Sequence, residues 1–130
     1  MIIDAHCHII EPNFPLIENQ GFIPDPFTVS DYIDHTHAFD VRGGVIVSGS
    51  FQGEDTTYLS SCLKQLGPSF VGVVQLPDSV TNKEIKRLHT VGVRAVRFNL
   101  KRGCYLSIGA IEQLAHRAYD LCQWHVEFYI

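Results

Sequence analysis

A chain of 130 residues, 45% hydrophobic and 18% charged, has the composition of one globular domain and excludes a disordered or fibrous protein. Its formal charge, 10 − 14 = −4, argues against a nucleic-acid binder that works through net positive charge. Apolar runs such as VGVV at residues 71–74 fall far short of the roughly 20 residues that a membrane-spanning helix needs.

The opening MIIDAHCHIIEP lacks a basic leader and places Asp4 and His6 where a signal peptide needs its apolar segment, so a cytoplasmic protein is expected. Residues 2–5 read as a strand and are followed by a loop with Pro12, Pro15, Pro24 and Pro26. Thr28, with Asp31 three residues on, is a capping-box-like start for a helix to about residue 40, which Gly43-Gly44 is expected to break. A strand over 45–48, a helix over 54–66 and a Gly67-Pro68 stop come next. A strand over 70–75 leads to a helix capped by Thr81 that Gly92 ends. A strand over 93–98, a helix from Ser107 to about 123 and an extended segment over 125–130 complete the order βαβαβαβαβ.

Regular alternation of this kind predicts a parallel sheet with helices outside it, because parallel neighbours need crossover connections. GVIV and FVGVV are apolar on both faces, as a covered sheet or closed barrel requires. Five strands and four helices are about half of an eight-stranded βα barrel of around 250 residues. The expectation is one domain over residues 1–130 that is the N-terminal part of such a barrel, with an open parallel edge through which the chain could pair with a second copy. A small open doubly wound sheet is the alternative, and strand order separates the two.

Candidate chemistry gathers at the C-terminal ends of the strands, where α/β proteins place their sites. His6 and His8 are two residues apart on a strand, so both imidazoles lean to one face and can share a divalent metal, whereas Cys7 points away. His35 and His37 have the same spacing on an expected helix, where they diverge by about 200°, and they read as structural. His89 and His116 read as surface or helix-end residues. Ser48, Ser50, Gln75, Arg97, Asn99 and Tyr129 stand at the remaining tips.

Arg97 shares strand parity with Val93 and Ala95, and a guanidinium facing a barrel interior needs an anion to offset its desolvation. A substrate carboxylate bound bidentately would serve, as would an internal acid such as Asp4 or Glu127. Residues 1–41 carry no Lys or Arg. By contrast, Lys83, Lys86, Arg87, Arg94, Arg97, Lys101 and Arg102 fall within twenty positions with one acid, Glu84, which suits a small anionic ligand. Cys7, Cys62, Cys104 and Cys122 have neither zinc-knuckle nor disulfide-framework spacing.

The segments IIDAHCHI, GVIVSGSFQGEDTTYL, FVGVVQLPDSVTNKEIKRLHTVGVRAVRFNL and HVEFYI, with the Pro-rich loop, resemble the amidohydrolase superfamily in its amidohydrolase 2 branch. Within that branch the chain is most similar to the 2-pyrone-4,6-dicarboxylate lactonases and related metal-dependent TIM-barrel hydrolases. The resemblance covers essentially all of the chain but about half of the family's length. It implies that His6 and His8 bind a divalent metal such as zinc or manganese, or, in lactonase-type members, sit at the reacting carbonyl. It implies that Arg97 holds a substrate carboxylate and that Tyr129 lies beside it. Arg102, with Lys101, falls about one position from a second family arginine.

The implied reaction is hydrolysis of a small carboxylated lactone, or a related C–O or C–N bond, by water attack on the carbonyl. The family's further histidine and its late-barrel aspartate base have no counterpart among these residues. Loss of a general base costs a factor of about 10² to 10⁴, so the chain alone is expected to be inactive or nearly so. The competing reading is a non-catalytic half-barrel that binds an anion or a partner through its open edge.

Overall fold

A computed structural model describes residues 1–130. Its elements are β1 (Ile2–Cys7), α1 (Val29–Thr36), β2 (Val41–Val47), a 3-10 turn (Ser50–Gln52), α2 (Thr57–Leu66), β3 (Phe70–Val74), α3 (Asn82–Val91), β4 (Val93–Asn99), α4 (Ile108–Cys122) and β5 (His125–Tyr129). The five strands are parallel and lie in the order β1-β2-β3-β4-β5. No strand reverses the order, which excludes the doubly wound alternative and leaves a curled half-barrel built from βα units.

Period-two alternation in the strands divides the core. Ile46, Val74 and Val96 pack outward against Leu59 and Leu63 of α2, Ile85 and Leu88 of α3, and Leu114 and Ala118 of α4. Their sequence neighbours Val47, Val73 and Ala95 form a separate cluster on the concave face. The helices start where their caps place them. Thr28 accepts from the Asp31 amide while the Asp31 side chain accepts from the Thr28 amide, and Thr81 and Ser107 accept from the amides of Glu84 and Ala110. No helix is long and apolar enough to cross a membrane.

Several details differ from the sequence reading. Helix α1 ends at Thr36, earlier than expected, and Gly43-Gly44 lies inside β2, which begins at Val41. The two glycines are needed for close approach: a Cβ on Gly43 would sit 2.4 Å from the Ser69 carbonyl oxygen, and one on Gly44 would sit 2.9 Å from that of Asp4. Helix α2 begins at Thr57, and Ser50–Gln52 form their own turn ahead of it.

Val93 and Ala95 do not share a face. The β3–β4 register shifts between Gly72↔Val93 and Val73↔Ala95, so Val93 joins the helix-side core and Ala95 the concave cluster. His89 does lie at a helix end, in the last turn of α3, and there the buried Trp124 indole donates to its Nδ1 at 3.1 Å. His35 and His37 turn their Nδ1 atoms onto carbonyls of their own helix, as a structural role predicts.

Strands β1 and β5 each have a neighbour on one side only, and Ile2, Ile3, Phe128 and Ile130 at these edges are exposed.

Candidate functional site

The tip of β1 is irregular in register between Asp4 and Cys7. Asp4 accepts a hydrogen bond from Tyr32 of α1 at 3.1 Å, and Cys7 packs against the helix-side core. His6 and His8 therefore face the concave side, with ring centroids 5.0 Å apart in an edge-on arrangement. Burial and the neighbouring Asp4 carboxylate push the Cys7 thiol up to about 12, so Cys7 stays a thiol outside the cavity.

His8 donates from Nδ1 to the Val47 carbonyl at 2.7 Å and packs edge-on against Phe51 at 5.7 Å. A carbonyl only accepts, so Nδ1 carries the proton and a neutral ring keeps its lone pair on Nε2. Burial holds His8 below the ordinary histidine value; the Val47 bond opposes this, and the nearby His6 and Arg97 add to it. The ring is thus a neutral acceptor at ordinary pH.

Arg97 projects from β4 on the same side and is 8% exposed. Its Nη1 reaches the Ser48 carbonyl at 3.4 Å, and its guanidinium lies 5.1 Å from the centre of the Tyr129 ring. Neither acid that could have neutralised it does so. Asp4 is turned to Tyr32, and Glu127, across the ladder from Arg97, pairs with His125 at 3.5 Å. The guanidinium is buried with no carboxylate partner, an arrangement that favours an incoming anion.

Asn99 is 6% exposed and accepts from the Arg102 amide at 3.0 Å, which leaves its Nδ2 without a protein partner. Asn19, from the long loop after β1, donates to the Arg102 carbonyl at 3.1 Å and ties that loop across the site.

These groups line one cavity of about 560 Å³ that contains His6, His8, Arg97, Asn99, Arg102 and Tyr129. An adjoining cavity of about 680 Å³ shares Arg97, Asn99 and Arg102 and is where Gln75 lies. The Gln75 amide nitrogen donates to the carbonyls of Gly49 and Gly53 at 2.8 and 3.2 Å. Ser48 is fully buried, with its hydroxyl 2.9 Å from that of Tyr58, so it meets Arg97 only through its carbonyl.

The first cavity also contains Ser50, which the sequence places at the tip after GVIV, together with Phe22, Gly49 and Phe51, which the sequence reading did not single out. The only available signal was the SGSFQG segment directly after a strand, a small-residue turn with one aromatic.

The donor set fits a divalent metal in part. His8 has the arrangement of a metal-ligating histidine, one ring nitrogen held by a carbonyl and the other free, and His6 stands beside it. No third His, Cys, Asp or Glu gathers with them, whereas catalytic zinc sites use three protein ligands.

Residues 3–122 match the amidohydrolase family model. Over 132 aligned residues the chain is 30% identical to the 2-pyrone-4,6-dicarboxylate hydrolase of Comamonas testosteroni, covering 98% of this chain and 43% of that protein. It is 27% identical over 97 residues to a 4-sulfomuconolactone hydrolase of Rhizobium radiobacter, covering 73% of this chain and 32% of that one. A crystal structure of a probable 2-pyrone-4,6-dicarboxylic acid hydrolase from Acinetobacter baumannii, with citric acid bound, superposes with a TM-score of 0.85 at 25% identity. That superposition covers 97% of this chain and 48% of the other. The chain thus spans less than half the length of these relatives.

Proposed function

The chain belongs to the amidohydrolase family, and on that premise we propose that it is the carboxylate-binding part of a hydrolase that opens a small carboxylated lactone by water attack on the carbonyl. One observation carries the reading: a buried, unpaired Arg97 guanidinium opens into the same cavity as His6 and His8. The relatives' names as lactone hydrolases support it, as does citric acid, a polycarboxylate, in the Acinetobacter structure.

Arg97 would bind the substrate carboxylate through its planar fork, with the Tyr129 ring holding the guanidinium plane. Asn99 Nδ2 and the Arg102 side chain would contact the same or a second oxygen cluster. These contacts fix the carbonyl near the imidazoles, and positioning alone lowers the barrier substantially. The His8 Nε2 lone pair would accept a hydrogen bond from a water at the carbonyl and orient it, while removal of the water's proton needs a carboxylate base that these residues do not supply.

Where a zinc or manganese ion is used, His6 and His8 would supply two of its ligands, and the ion would lower the pKa of water or polarise the carbonyl. Four unpaired thiols suit the reducing cytoplasm. Residues 1–130 form one domain in this reading, the N-terminal part of the barrel.

The experiment is titration of the 130-residue chain with 2-pyrone-4,6-dicarboxylate, with chromatography for the ring-opened product, with and without zinc or manganese. Saturable binding with turnover near background is expected, because two imidazoles without a carboxylate base are an incomplete catalytic set. Absence of both binding and turnover would overturn the reading. Turnover well above background that disappears in Arg97→Ala would retain the hydrolase and overturn the inactivity of the chain alone.

The exposed edges of β1 and β5 favour a second reading, a non-catalytic half-barrel that associates through them. Light scattering that shows a stable dimer, without carboxylate binding, would support it instead.

A further inference from the structure

We infer that Gln52 is a positioning residue whose side-chain amide locks the tip of β1, and with it His8, to the loop that follows β2. The inference rests on the reading that His8 acts in the cavity. The β1–β2 ladder ends at Cys7↔Ile46, so His8 and Ile9 lie beyond the last regular strand pairing.

Gln52 takes over from the ladder. Its Nε2 donates to the Ile9 carbonyl at 2.7 Å, and its Oε1 accepts from the Gly49 amide at 2.8 Å. The side chain is 3% exposed, so neither backbone group has water as a ready substitute. On the other side of the same junction His8 donates to Val47. The β1 tip is thus tied to the β2 tip by two side-chain bridges, one from each segment. The next tie along the chain is backbone pairing of Ile10 with Phe27.

Packing couples the two bridges. Phe51, next to Gln52 on the 3-10 turn, lies against the His8 ring and folds over Gly49 so closely that a Cβ there would be 2.3 Å from Cζ. Gln75 serves as an internal comparison. It braces the same loop from β3 through Gly49 and Gly53, but makes no hydrogen bond to β1. Loss of Gln52 should therefore disturb His8, whereas loss of Gln75 should disturb the loop alone.

The test records the imidazole nitrogen signals of His8 by NMR at about pH 8, where histidines are neutral, in the full 130-residue chain. The wild type should show one tautomer, protonated at Nδ1. In Gln52→Leu the signals should move toward the mixed-tautomer values of a free imidazole, and in Gln75→Leu they should stay in place. Leu114→Ala, a core truncation on α4, controls for general destabilisation and should also leave them in place.

Unchanged His8 signals in a folded Gln52→Leu chain would overturn the inference, as would equal changes in all three variants. Should Gln52→Leu fail to fold, Gln52→Glu keeps the acceptor for Gly49 and removes the donor to Ile9, and the same shift is expected from it. Citrate titration of the wild type is a separate arm. Its failure would count against the carboxylate site while leaving the tautomer result to decide the role of Gln52.

Discussion

Arg97→Met is expected to abolish carboxylate binding while leaving the fold at least as stable. Truncating a buried, hydrogen-bonded partner of a charge costs about 2 to 5 kcal/mol of binding, which corresponds to roughly 30-fold to several-thousand-fold in affinity. Calorimetric titration with citrate measures it. The stability arm has the opposite sign. In the free chain Arg97 is 8% exposed, and its guanidinium has one long hydrogen bond to the Ser48 carbonyl, the Tyr129 ring beside it and no carboxylate, so an apolar side chain of similar length removes a charge that has no opposite charge to offset it. Replacing buried ionic groups by packed apolar ones is often neutral, or stabilising by about 1 to 4 kcal/mol. A variant that binds citrate normally would show that Arg97 is not the anion's partner. One that unfolds would show that the guanidinium is structural.

Gly43→Ala should be among the most destabilising single-methyl changes in the chain. The added Cβ would lie 2.4 Å from the Ser69 carbonyl oxygen, a backbone atom that cannot rotate away. Overpacking typically costs 1 to 3 kcal/mol, and a backbone collision belongs at or above the upper end, against a total stability of about 5 to 15 kcal/mol for ordinary domains. Gly109→Ala in α4 is the matched control. Nothing lies within 4 Å of its Cβ position, and alanine in a helix is favoured over glycine by about 1 kcal/mol. Urea unfolding should lower the midpoint for the first and raise it for the second. Equal midpoints would mean that β2 and the Ser69 segment are not packed as described.

The element order was legible because local chemistry marks it. Thr28, Thr81 and Ser107 are caps whose side chains satisfy the first free amides of their helices, and GVIV and FVGVV are apolar on both faces. Parallel strands all point one way, so their polar last residues meet at one rim, which brought His6, His8, Arg97, Asn99 and Tyr129 together.

What was not legible depends on contacts between segments distant in sequence. Gly43-Gly44 reads locally as a break, and only the approach of Ser69 and Asp4 explains glycines inside a strand. Parity counting from Val93 fails because a register shift intervenes, although it holds from Ala95 to Arg97. Ser48 and Gln75 sit at strand tips as expected, but Tyr58 engages the one, and the Gly49 and Gly53 carbonyls engage the other. Phe51 and Gln52 carry no motif. Their places follow from how the turn after β2 folds back onto β1.

In the proposed site the imidazole pair and Arg97 share a single ligand. NMR titration of the isotopically labelled chain with citrate tests this directly, by following the His6 and His8 rings, the Arg97 guanidinium, the Asn99 amide and the Tyr129 ring together. The prediction is that all of them shift and saturate with one dissociation constant. Shifts confined to the basic surface of α3, at Lys83, Lys86 and Arg87, or imidazoles that stay still while Arg97 responds, would contradict it.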